Sequence, residues 1–164
     1  MAGIPLSSND LIVRRWSSVT VWRNAFYVWL LCSLCACSAL QVSPYDAKAF
    51  ADTEALAGDV MAFYGKMLEL PLAERTYDKF SADYVSVEAK IRTMIVREKA
   101  RPMNKESASI SDDILTLWEK YHLRHREKND YGDVLAKAHR NTMQRVFTAA
   151  LKGEAAKKSD EKPQ

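Results

Sequence analysis

The chain predicts an all-α, up-and-down four-helix bundle, and three observations carry that expectation. Apolar side chains recur at alternating steps of three and four residues through four stretches, the rhythm of helices that each bury one stripe. Pro44, Pro71 and Pro102 fall at boundaries of these stretches, and no proline interrupts one. No strand pattern competes with them. Helices of roughly 20–27 residues are about 30–40 Å long at 1.5 Å per residue, and short connections make successive helices antiparallel.

The first helix is expected to start at Ser43-Pro44-Tyr45-Asp46, with a serine cap, proline at the first helical position and an acid two residues later. Ala49, Leu56, Val60, Phe63, Met67 and Leu70 form its apolar stripe, and Thr53 fills one gap. Gly58 and Gly65 sit inside it at a cost of about 1 kcal/mol each against alanine; either they permit close helix approach or they are simply tolerated. The second helix is expected from Ala73 or Thr76 to Arg101, with Tyr77, Phe80, Tyr84, Val87, Ile91 and Met94 inward. Its Tyr77/Phe80/Tyr84 stripe is read as core rather than as a ligand groove, because a bundle needs large side chains there.

The third helix is expected to open at Ser109-Ile110-Ser111-Asp112, a variant capping box, after the longest loop of the bundle, Arg101 to Ser109. Ile110, Ile114, Leu117 and Tyr121 face inward, Leu115 and Trp118 widen the stripe, and the helix ends near Asn129-Asp130. The fourth runs from about Tyr131 to Lys152, carrying Leu135, Ala138, Met143, Val146, Phe147 and Ala150, with Gly153 as a C-terminal cap. The bundle is therefore assigned to residues 43–153. Residues 154–164 contain nothing apolar beyond alanine and are expected to be a disordered charged tail.

Ahead of the bundle lies an uninterrupted apolar run, residues 25–36, preceded by Arg14, Arg15 and Arg23 and followed by Cys37. Twelve residues are short for a membrane span, which takes about 20. Trp29, Leu30, Leu31 and Leu34 surround every side of the run, unlike the one-sided stripe of a core helix. Leu34-Cys35-Ala36-Cys37 places leucine at −3, a small residue at −1 and cysteine at +1. The whole segment resembles a bacterial lipoprotein export signal, whose parts are a positive n-region, a short apolar core and a small residue at the cut.

That resemblance implies a signal peptide over 1–36, lipidation of Cys37, a short tether over 37–42, and membrane lipid as a partner. More than one acyl chain gives stable anchoring. Ser38 after the cysteine implies sorting to the outer membrane, periplasmic side, in a Gram-negative cell, or the outer face of the plasma membrane in a Gram-positive one. Residues 43–153 resemble small helical lipoproteins in general form only.

Cys32, Cys35 and Cys37 are the only cysteines, so the expected mature domain has no free thiol for disulfides, thiolate catalysis or metal. Three of the 24 basic and one of the 21 acidic residues precede Cys37, which leaves 21 against 20. A nearly neutral chain gives no support to nucleic-acid binding, which would require a clustered positive face. Serines sit where helix capping explains them and the glycines are isolated, so neither a nucleophile elbow nor a phosphate loop is present. No catalysis and no cofactor are expected.

The one residue cluster with metal-ligand chemistry is histidine. His122 and His125 lie three apart on the third helix and His139 lies on the fourth. Glu119-Lys120-Tyr121-His122 spells one Glu-x-x-His pair, whereas a di-iron bundle needs two. His122 and His125 are read as cations at a solvated helix end, and His139 as a partly buried, hydrogen-bonded side chain. The expected function is therefore non-catalytic binding of an envelope protein by a membrane-held bundle. The rival readings are an inhibitor or exclusion lipoprotein acting against a toxin, lysozyme, phage or plasmid entry, and a histidine-based metal or ligand binder.

Overall fold

A computed structural model describes residues 42–160, with side chains to Lys158; Cys37, Ser38 and the apolar run lie outside the described residues. Four helices follow one another: α1 (Ala47–Glu69), α2 (Tyr77–Ala100), α3 (Lys105–Lys128) and α4 (Asp133–Asp160), with a 3-10 turn at Leu72–Glu74 between α1 and α2. Each helix packs on its neighbours in the chain, and α4 closes the ring on α1. The arrangement is the expected up-and-down bundle. The α1–α4 and α2–α3 pairs pack most extensively, and the α1–α2 seam is the most open. Among the described residues no helix is long and apolar enough to cross a membrane.

The core is the apolar stripe of all four helices. Leu56, Val60, Phe63 and Met67 of α1 meet Phe80, Tyr84, Val87, Ile91 and Met94 of α2, Ile114, Trp118 and Tyr121 of α3, and Ala136, Met143 and Phe147 of α4. Phe63 sits at its centre, edge-on to Tyr64, Phe80, Tyr84 and Trp118 at centroid distances of 4.7–5.6 Å. Such edge-to-face pairs add to area burial because a positive ring edge meets a negative face. The Tyr77/Phe80/Tyr84 stripe is core, as expected. No atom lies within 4 Å of a β-carbon added at Gly58 or Gly65, so neither glycine serves close helix approach.

Three boundaries differ from expectation, each for a tertiary reason. Asp46 caps α1, its carboxylate accepting from the Lys48 and Ala49 amides at 2.9 and 3.0 Å. Ser43 is buried instead, and donates its hydroxyl to Asn104 at 2.7 Å and its amide to the Met103 carbonyl at 3.0 Å. α3 begins at Lys105, four residues before the serine cluster, which shortens the α2–α3 connection to Arg101–Asn104; the longest connection is 70–76. Ser111 lies within the helix, buried, with its hydroxyl on the Ser107 carbonyl.

α4 is the largest correction. It continues through Gly153 to Asp160, so the segment expected to be a disordered tail is helical as far as Asp160. Glu154 and Lys157 are buried: Glu154 pairs with Arg101 and, within the helix, with Lys157, and Lys157 donates to Asn104 and Ser107, so polar contacts hold this last stretch where apolar residues are lacking.

Candidate functional site

Two buried polar clusters occupy opposite ends of the bundle. At the end where the described chain begins, the α2 and α4 stripes carry charge in place of apolar side chains. Glu98 and Arg101 follow Ile91 and Met94 at steps of four and three, and Glu154 and Lys157 follow Phe147 and Ala150 in the same way. The Glu154 carboxylate accepts from the Asp46 amide at 2.8 Å, from Arg101 at 2.9 and 3.1 Å and from Lys157 at 2.6 Å. Lys157 also donates to Asn104 and Ser107, and Asn104 donates to Glu98 at 2.7 Å. Arg101 reaches back to the Pro44 carbonyl at 2.6 Å.

Glu98 and Glu154 thus face Arg101 and Lys157 in a largely buried site, with the half-buried Arg97 reaching Glu98 from its edge at 3.2 Å, and both extremities of the described unit are fastened to it. Burial acts to raise the Glu154 pKa, but Arg101, Lys157 and the Asp46 amide outweigh it and hold the carboxyl below its ordinary range. The sequence does not single out Arg101, Asn104, Glu154 or Lys157 as a cluster. Their signal was the unbroken three-four spacing, which runs through charged residues that composition assigns to the surface.

At the opposite end the three histidines come together, each held by tyrosine. The His125 Nε2–H donates to the Arg75 carbonyl at 2.9 Å, so Nδ1 is free to accept a hydrogen bond from the Tyr84 hydroxyl at 3.2 Å. His125 is fully buried, not a solvated cation, and burial lowers its pKa. It continues the Ile114, Trp118, Tyr121 spacing, a rhythm masked in the sequence by the surrounding Arg124, Arg126 and Lys128. His122 bonds the Tyr77 hydroxyl at 2.9 Å and stacks on Tyr84 at 4.5 Å. Burial lowers its pKa too, against the opposing pull of Glu88.

His139 is half-buried, stacked on Tyr121 at 3.6 Å, with Nδ1 on the Tyr131 hydroxyl. Burial, then Arg124 and Lys120, push its pKa down to about 4. Burial raises the Tyr64, Tyr84 and Tyr131 pKa values, so these phenols keep their protons. Among the described residues Tyr64 carries the one buried side-chain polar atom without a hydrogen-bond partner. Arg75 closes this end by donating to the Leu70 and Tyr131 carbonyls and pairing with Asp133 at 2.6 Å.

The geometry does not assemble a metal site from His122, His125 and His139. Each ring is engaged by a tyrosine hydroxyl, and among the described residues no three His, Cys, Asp or Glu side chains converge as ligands would. Surface depressions remain, two of them between helices with an apolar floor. The α1–α2 groove, about 370 Å³, runs over Ala55 and Ala89 and is bridged by Arg97–Asp52 at 2.5 Å and Lys90–Asp59 at 2.7 Å. The α3–α4 groove, about 510 Å³, is lined by Ile110, Leu117, Val146 and Ala149 between Asp113 and Arg145. Comparison with protein-family models, curated proteins and solved structures finds no match to the chain.

Proposed function

We propose that the chain is a lipid-anchored protein of the bacterial envelope, held at the periplasmic face of the outer membrane through Cys37, and that its bundle is a non-catalytic binding module. The observation that carries this reading is the sequence Leu34-Cys35-Ala36-Cys37 closing a 12-residue apolar run behind Arg23. The charged cluster adds support, since Glu98, Arg101, Glu154 and Lys157 are paired with neighbours within the bundle, an arrangement that serves its architecture. Anchoring raises the effective concentration of the bundle's faces near an envelope partner. The α1–α2 and α3–α4 grooves are candidate faces for that contact.

Intact-mass analysis of the protein from its native membrane tests the anchor. The expected species begins at Cys37, carries acyl mass and remains with membranes through an alkaline wash. Cys37→Ser keeps the helical circular dichroism and leaves the membrane fraction. An unmodified chain beginning at Met1 in the cytosol overturns the assignment. Crosslinking in the intact envelope, followed by mass spectrometry, identifies the partner.

A further inference from the structure

We propose that the end of the bundle where the described chain begins is itself a lipid-contact surface, seating Met103 and Val42 in the interface of an anionic bilayer. The inference rests on the lipid-anchored reading and extends it from a point of attachment to an oriented domain. Cys37 precedes Val42 by five residues, at most about 18 Å of extended chain. The far end of the bundle lies a helix length beyond, about 36 Å for 24 residues. An acylated Cys37 therefore brings this end to the membrane and leaves the histidine end facing away.

The surface there is suited to lipid. Met103 is 45 % and Val42 39 % exposed, side by side at the tip because the Ser43 amide bonds the Met103 carbonyl. Met103 holds a left-handed backbone, φ 56°, which a non-glycine residue adopts at a cost. The strain is sustained by the buried Ser43–Asn104–Glu98 contacts on either side, and it turns an apolar side chain outward.

Segments 42–50, 97–108 and 152–160 with their ion-pair partners Asp52 and Asp112 hold eight basic and seven acidic residues, so the basic character of this end lies in which charges are left exposed rather than in net charge. Glu98 and Glu154 are spent on Arg101 and Lys157 inside the cluster. Lys48 and Lys99 are partly offset by Asp52 and Asp112. Lys105 and Lys158 are exposed and form no ion pair among the described residues, and Lys158 lies 5.2 Å over the Tyr45 ring. Lysines around an apolar tip are attracted by anionic headgroups.

The test uses the full-length chain in a Cys32→Ser/Cys35→Ser background, inserted through its anchor into phosphatidylethanolamine vesicles containing phosphatidylglycerol. A fluorophore is placed at Met103→Cys or Leu72→Cys. The expected result is several-fold stronger quenching by a lipid-borne quencher at position 103 than at 72, and a several-fold loss of that difference in Lys99→Glu/Lys105→Glu/Lys158→Glu. Acylated, vesicle-bound protein in which aqueous iodide reaches both positions equally overturns the lipid seat and leaves the anchor standing. A mass without acyl chains refutes the anchor, and the seat with it.

Discussion

Glu154→Gln isolates the charged end of the bundle. The substitution is nearly isosteric and retains an acceptor for the Asp46 amide, but it removes the negative charge that faces both Arg101 and Lys157. The substitution leaves Arg101 and Lys157 with Glu98 alone, which Arg97 also engages at 3.2 Å, and the Glu98 and Glu154 side chains are only 6 and 8 % exposed. Removing one partner of a buried pair costs about 3–5 kcal/mol. Glu98, Asn104 and Ser107 still solvate the cations, which puts the expected loss near the lower end, about 3 kcal/mol. For a domain of about this size that lowers Tm by roughly 10–15 °C.

Chemical denaturation at pH 7 of wild type, Glu154→Gln, Lys157→Met and the double variant measures the loss and the coupling between the two groups. A coupling of at least about 1 kcal/mol is expected. The wild-type carboxyl is held below its ordinary pKa when folded, so its contribution is complete above the unfolded pKa of about 4.3 and is lost as pH falls through the lower folded value. Glu154→Gln should remove that part of the acid limb. A variant within 0.5 kcal/mol (about a measurement error) of wild type would show that the site is solvated and that the helix beyond Gly153 needs another explanation.

Gly58→Ala and Gly153→Ala each add a methyl group to open space on a helix and should each raise stability by about 0.5–1 kcal/mol, read as a higher denaturant midpoint at unchanged slope; a lower midpoint for Gly153→Ala would argue against helix at that position. His122, His125 and His139 all have folded pKa values below the ordinary 6.5, so the unfolded chain binds protons first, and stability should fall as pH drops from about 6.5 toward 4. Proton NMR should show the His139 ring neutral at pH 5, and a ring titrating near 6.5 would refute the stacked, tyrosine-bound geometry.

Fold class was legible because the stripes of Leu56 to Met67 and Phe80 to Met94 have a single period and no rival. The helix ends were harder to read, since capping signals are local while the competing contacts are not. Ser43-Pro44 has the form of a helix start, yet Ser43 is taken by Asn104, 61 residues away, and Asp46 caps instead. Gly153 has the form of a stop, yet Arg101 and Asn104 hold Glu154 and Lys157 against it. His125 was masked by charged neighbours whose side chains point away while its own ring follows Trp118 and Tyr121 inward. Polar residues on an apolar rhythm take their meaning from partners that only the tertiary fold supplies.

A bundle built solely on a repeating apolar stripe can slide one helix along its neighbours by seven residues, about 10.5 Å, and find nearly equivalent packing. Here such slippage of α4 would carry Glu154 to the level of Phe147, among hydrocarbon and rings, and leave Arg101 with Glu98 alone. The ionic layer at one pole therefore acts as an alignment mark, leaving the four helices a single vertical offset at which every charge finds its mate.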